Sequence, residues 1–291
     1  MFQVLFDAQE WVETSWPLPG ASTFNLSVRD LLISLVVVVV VSMLHRKGLL
    51  VLALPVLALE PALLAFPCNV LQSLVLRTPR FWDPLSLEPQ LQRLLDRFPD
   101  LQRETRAIAD AATVTMPFFA NVSKHQERIA GQQPWRVFPF FAYGTVNHDN
   151  CAKAPLLSSI CMQIPSVRLA MLSMMEEGTE IPSHCGFFKS VLRVHLTLLT
   201  DEPDPHGKRF IEVGGERHSW KEGELVAFDD TYPHRVSNQV KGRRVVLFLD
   251  VERPYQSFAA AWIGRAILTL MRASPSVKAH AALQEKSRST R

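Results

Sequence analysis

From Val191 to Leu198 the chain alternates without a break, with Arg193, His195 and Thr197 on one face of a strand and Val194, Leu196 and Leu198 on the other. An arginine and a histidine side by side on the inner face of a sheet are costly to bury unless an anion or a partner meets them. A chain that builds this strand therefore needs a polar cavity inside β-structure. Further short apolar runs, at 136–143, 167–175, 209–213, 225–228 and 244–251, are separated by Pro, Gly, Asn and Asp. Many short strands at this spacing predict an antiparallel sandwich or barrel. Helical spacing of Leu91, Leu94, Leu95 and Phe98, with Ser86 as N-cap, predicts a helix before them. A second helix is expected over 101–112 and a closing helix over 258–271, followed by a basic tail.

The first part of the chain is different. Leu31 to Leu44 carries no charge and includes six consecutive valines, and a second run from Gly48 to Phe66 is apolar apart from Glu60. A bilayer span needs roughly 20 apolar residues. The two runs are read as a membrane anchor over 28–66, either a helical hairpin or one span with a re-entrant segment. The alternative for the valines is a buried strand. Acidic residues Asp7, Glu10 and Glu13 precede the first run, which argues against a cleaved signal peptide. Basic residues flank both runs, so charge does not fix which side of the membrane the rest of the chain occupies.

Lys and Arg total 31 and Asp and Glu 28 in 291 residues, a net charge of +3, which excludes a broad basic surface for nucleic acid. The four cysteines include no closely spaced pair, so reduced thiols are expected.

Two histidines and two arginines could converge from three strands: His184 in Pro182-Ser183-His184-Cys185-Gly186, Arg193, His234 after Phe228-Asp229-Asp230, and Arg244 on the last strand with Val246 and Phe248 on its face. Neutral imidazoles bind Fe(II) or zinc, and guanidinium forks bind carboxylates, so the implied ligand is a dicarboxylate beside a metal. Plainer readings are an ion pair of Arg193 with Asp229 or Asp250, and turn capping by Asp229-Asp230. His206 and His218 lie in polar turns and are expected at the surface.

From about Trp135 to Pro254 the chain resembles the aspartyl/asparaginyl β-hydroxylase family of Fe(II)- and 2-oxoglutarate-dependent dioxygenases. The resemblance is carried by His184-Cys185-Gly186 followed by Leu192-Arg193-Val194-His195-Leu196, by Trp220-Lys221-Glu222-Gly223 and Phe228-Asp229-Asp230-Thr231 before His234, and by Arg244 beyond it. Ser173 with Gly178, Trp135, and the Asn150-Cys151 turn ending at Pro155 also match. The resemblance implies a double-stranded β-helix, a jelly-roll or cupin-like barrel with flanking helices. It implies His184 and His234 as iron ligands, Arg244 and Ser173 on the distal carboxylate of 2-oxoglutarate, and Arg193, His195 and Trp135 near its other end. The usual facial triad adds a carboxylate. Gly186 stands at that position here, so water would take it, with Asp229 the alternative.

The implied reaction uses Fe(II), 2-oxoglutarate and O2 to hydroxylate an unactivated C–H, first the β-carbon of a peptidyl Asp or Asn. The lipid A acyl-chain hydroxylases are a related subgroup, and the ending Val245–Pro254 and Pro67-Cys68-Asn69-Val70-Leu71 resemble them, which makes a membrane-lipid acyl chain the second substrate. A non-catalytic, membrane-tethered, carboxylate-binding barrel is the third reading. The expected organisation is an N-terminal segment (1–27), the anchor (28–66), a connector with helices (67–112), the dioxygenase barrel (113–255), and a C-terminal helix with a basic tail (256–291).

Overall fold

A computed structural model describes residues 28–47, 65–76, 79–112, 116–119, 133–186, 188–255 and 257–275. These fall into two units, one holding the described residues up to Pro79 with Gly186–Ser190 and those from Arg253 onward, the other holding Arg80–Cys185 and Val191–Glu252.

The first unit has three long helices, α1 (Val28–Arg46), α2 (Ala65–Val75) and, at the C-terminal end, a helix over Phe258–Ala273, with α2 packing on both others. The valines are helical, so the buried-strand alternative does not hold. On α1, Leu35, Val36, Val38, Val39, Val40 and Met43 are exposed. Among the described residues no helix is long and apolar enough to cross a membrane. The uncharged stretch Leu31–Leu44 covers about 21 Å at 1.5 Å per residue, short of the ~30 Å hydrocarbon core. The anchor expected over 28–66 is therefore unsupported by the described chain, and most of its second run, 48–64, lies outside the described residues. The C-terminal helix is capped by Ser257, whose side chain accepts from the Ala260 N–H, and it runs two residues past the expected end. The tail expected beyond it also lies outside the described residues.

The second unit opens with β1 (Phe81–Trp82), which leads into a short turn of helix at Pro84–Leu87. Asp83, not Ser86, is the cap there: its Oδ2 accepts from the Ser86 N–H at 2.8 Å. The helix expected through Phe98 breaks at Arg97, and α3 starts at Phe98 and ends at Asp110. Pro99 explains the break, because proline fits only in the first turn of a helix. The strands that follow are β2 (Trp135–Ala142), β3 (Thr145–Val146), β4 (Val167–Met175), β5 (Thr179–His184), β6 (Val191–Thr200), β7 (Arg209–Val213), β8 (Glu216–Ser219), β9 (Leu225–Phe228), β10 (His234–Asn238) and β11 (Arg244–Glu252), with helix α4 (Pro155–Gln163) between β3 and β4.

Two sheets result, ordered β1-β9-β6-β11-β4-β2-β3 and β5-β10-β7-β8. The pairings are antiparallel. One face of the larger sheet, with Phe138, Leu172, Leu196 and Leu247, is buried with Leu101 and Ile108 of α3 and Leu157 and Ile160 of α4. The opposite face, with Met171, Val246 and Phe248, meets Ile181, Ile211, Val213 and Val236 of the smaller sheet. The fold is thus a barrel of two facing antiparallel sheets flanked by helices. Arg193, His195 and Thr197 point between the sheets, as the alternation predicts. The six expected strands are present with ends shifted by at most two residues, whereas β1, β3, β5, β8 and β10 were not among them.

Candidate active site

His184 closes β5, His234 opens β10, and the two are cross-strand partners. Their ring centroids lie 4.1 Å apart at 52°. His184 Nδ1 donates to the Pro182 carbonyl at 2.8 Å, and His234 Nδ1 to the Tyr232 carbonyl at 3.0 Å. A carbonyl can only accept, so each neutral ring carries its proton on Nδ1 and its lone pair on Nε2, the form that ligates a metal. His234 is 4% exposed. Burial, then the neighbouring His184, holds its pKa well below the ordinary histidine value. Two imidazoles this close disfavour two protons and suit one shared cation.

Among the described residues no cluster of three or more His, Cys, Asp or Glu side chains is placed to hold a metal. Asp229 is occupied in its turn, its Oδ1 accepting from the Thr231 N–H at 3.1 Å and hydroxyl at 2.6 Å. The donor set of two imidazoles fits a ferrous ion that takes its other ligands from oxygen donors.

Arg193 is committed elsewhere. Its guanidinium meets Asp230 at 2.9 Å and Asp250 at 3.0 Å and lies 4.1 Å over the Phe248 ring. Asp250 also accepts from the Tyr143 hydroxyl at 2.7 Å. Of the two ion-pair partners considered from sequence, Asp250 is one; Asp230 takes the place of Asp229. Tyr143 has φ +47°, a strained backbone held by its surroundings. Removing its hydroxyl takes a hydrogen bond from a charged group, so Tyr143→Phe should lower stability by about 2 kcal/mol in chemical denaturation.

Arg244 is 1% exposed, and its Nε and Nη1 have no hydrogen-bond partner among the described residues. Its guanidinium lies 4.1 Å over the Trp220 ring. Burial, with Arg209 nearby, pushes its pKa down to about 9, which still leaves a cation at neutral pH. Beside it His195 is 5% exposed, has neither ring nitrogen partnered among the described residues, and packs among Phe228, Phe248 and Trp220. Burial and then Arg244 keep it neutral, its pKa well below the ordinary value. The Thr197 hydroxyl is also buried without a partner. Ser173, across from Val246, accepts from Trp135 Nε1 at 2.9 Å, so its own hydroxyl proton can go to a ligand and Trp135 can act through it. A buried cation with unmet donors needs an acceptor. The barrel therefore carries a metal-competent histidine pair, His184 and His234, and an anion-competent guanidinium, Arg244.

His206 is exposed, but His218 is not a surface residue: its Nε2 is buried, 4.0 Å from Glu224, with Phe81 against the ring. The cysteines carry no disulfide, and burial pushes the Cys161 thiol up to about 12. Sequence reasoning gave no role to Tyr143 or Trp220. Trp220 was visible only as part of a motif, and nothing local marks Tyr143.

A family model described as aspartyl/asparaginyl beta-hydroxylase matches residues 96–254, more than half of the chain. An ornithine lipid ester-linked acyl 2-hydroxylase of Rhizobium tropici is 32% identical over 56% of this chain and 57% of its own. Aspartate beta-hydroxylase domain-containing protein 2 of Mus musculus is 31% identical over 53% and 47%. The human aspartyl/asparaginyl beta-hydroxylase is 26% identical over 53% and 21%. The chain thus spans about half the length, or less, of these relatives. A Pseudomonas putida prolyl-4-hydroxylase overlays with a TM-score of 0.38 at 16% identity, over 57% of this chain and 100% of its own. An overlap of that size adds nothing to the topology described above.

Proposed function

Because the chain belongs to the aspartyl/asparaginyl β-hydroxylase family, we propose that it is an Fe(II)- and 2-oxoglutarate-dependent hydroxylase acting on an acyl chain of a membrane lipid. The observation that carries the cosubstrate is Arg244, a buried guanidinium with two unpartnered nitrogens inside a barrel that also holds a histidine pair. When bound, iron with 2-oxoglutarate and O2 supplies the oxidation of the C–H bond, with succinate and CO2 as co-products.

This chain's residues do the rest. His184 and His234 hold the metal through Nε2, each kept in that tautomer by a backbone carbonyl. Arg244 and the Ser173 hydroxyl bind the distal carboxylate. Neutral His195 offers a donor and an acceptor within the same lining. Arg193, neutralised by Asp230 and Asp250, fixes the loop that precedes His234 instead of taking the ligand's charge. The apolar walls from both sheets exclude water.

The lipid substrate is supported by two observations. The Rhizobium tropici relative, named for an acyl chain, is matched over 57% of its own length, against 21% for the human aspartyl/asparaginyl beta-hydroxylase. The first unit also exposes an apolar helix surface on α1, with Phe258 and Trp262 exposed on the C-terminal helix. Membrane association through that unit belongs to the same proposal. The peptidyl Asp/Asn reading is the competing outcome.

Purified protein with Fe(II), 2-oxoglutarate and O2 should release succinate and add 16 Da (one oxygen atom, roughly, in the general balance of hydroxylation) to an acyl chain in a lipid extract. Release coupled to an Asp- or Asn-containing peptide alone would move the substrate to the peptide class. Absence of succinate with both would leave the binding-only barrel.

A further inference from the structure

We propose that Trp220 is a binding residue of this cavity: its indole N–H donates to the carboxylate that Arg244 takes, while its ring face holds the guanidinium in place. The assignment rests on the cosubstrate reading above and adds to it a residue and a hydrogen bond.

Trp220 is 3% exposed, and its Nε1 has no hydrogen-bond partner among the described residues. Buried indole N–H groups normally find one, because an unmet donor is costly. Indole nitrogen and guanidinium are both donors only, so neither can satisfy the other. Arg244 instead sits 4.1 Å over the ring, against its negative face. What both lack is an acceptor, and beside a cation the fitting acceptor is an oxyanion.

The chain fixes this ring from several sides. Trp220 directly follows β8 and enters a turn in which Gly223 has φ +78°, a conformation that favours glycine. The Gly223 N–H donates to the Thr197 carbonyl at 2.9 Å, and the Thr197 N–H to the Glu224 carbonyl at 3.2 Å, lacing the turn to β6. The His195 ring stands 6.1 Å from the indole at 29°. Trp220 is thus held against β6 and β11, next to His195 and Arg244. As a mere core filler, it would be replaceable by another ring without effect on ligand affinity.

The test is calorimetric binding of glutarate and 2-oxoglutarate to the full-length, metal-free protein. Glutarate lacks the keto oxygen and so reports the carboxylate contacts. Trp220→Phe keeps a ring face and removes the N–H; glutarate binding should weaken about tenfold. Trp220→Leu removes both and should weaken it further. Unchanged glutarate affinity in Trp220→Phe, with wild type binding normally, overturns the role of Trp220 alone. Wild-type protein that binds neither ligand overturns the cosubstrate reading as well. Should the variants not fold, wild-type protein labelled with 15N-tryptophan decides the matter. Saturating glutarate should then move one indole N–H signal downfield, and that signal should persist in Trp135→Phe. Unmoved indole signals overturn the proposal.

Discussion

Arg244→Lys should weaken 2-oxoglutarate binding by roughly 30- to 4000-fold. Truncating one partner of a buried charge pair at a binding site costs about 2–5 kcal/mol, and each 1.4 kcal/mol is about tenfold. Lysine keeps the charge but cannot reproduce the planar, two-pronged donation of a guanidinium, nor lie as flat over the Trp220 ring. Among the described residues Arg244 has no carboxylate partner whose loss would complicate the result, and its Nε and Nη1 have no hydrogen-bond partner. The apparent KM for 2-oxoglutarate should therefore rise steeply while iron affinity, measured by equilibrium dialysis, stays near wild type. An unchanged KM with a lowered melting temperature would make Arg244 structural and would remove the main anion partner of the cavity.

His184→Ala should reduce metal-dependent turnover to background and abolish stoichiometric Fe(II) binding, because it halves a protein donor set of two imidazoles. The side chain is only half-buried, so the variant should remain folded. His234→Ala should have the same effect on metal, but with an added loss of stability. That ring is 4% exposed and stands 5.9 Å from the Phe228 ring, so truncation leaves a cavity. Normal 2-oxoglutarate decarboxylation by the His184 variant would displace the metal site. Comparing the two variants separates the metal's contribution from that of packing.

The five longer strands of the larger sheet were legible because they are apolar, whereas its two-residue strands β1 and β3 were not. β4 and β11 lie at the centre of the sheet order and carry continuous buried runs. The strands that present the histidines were not legible. β5 reads Thr-Glu-Ile-Pro-Ser-His, with Glu180, Pro182 and Ser183 exposed, and Pro182 is tolerated because β5 is an edge strand whose N–H groups need not all pair. β10 begins at His234 and has polar residues at four of its five positions, so it lacks an apolar alternation. Both become strands through pairing with each other, a contact distant in sequence. The helix break at Arg97 and the cap at Asp83 are local features, but helical spacing of leucines outweighed them in the sequence reading.

The sequence by itself determined the inward-facing row Arg193, His195 and Thr197, since side-chain alternation along an extended chain is fixed by backbone geometry. Its motifs also singled out His184 and His234 with the two arginines Arg193 and Arg244. Only the tertiary structure decided which arginine is available to a ligand. Arg193 and Arg244 both stand on paired strands, β6 and β11, yet Asp230 and Asp250 neutralise the first, and none of the described contacts does so for the second. Charge compensation depends on which side chains meet across strands far apart in the chain. That depends on register and packing, which no local pattern encodes.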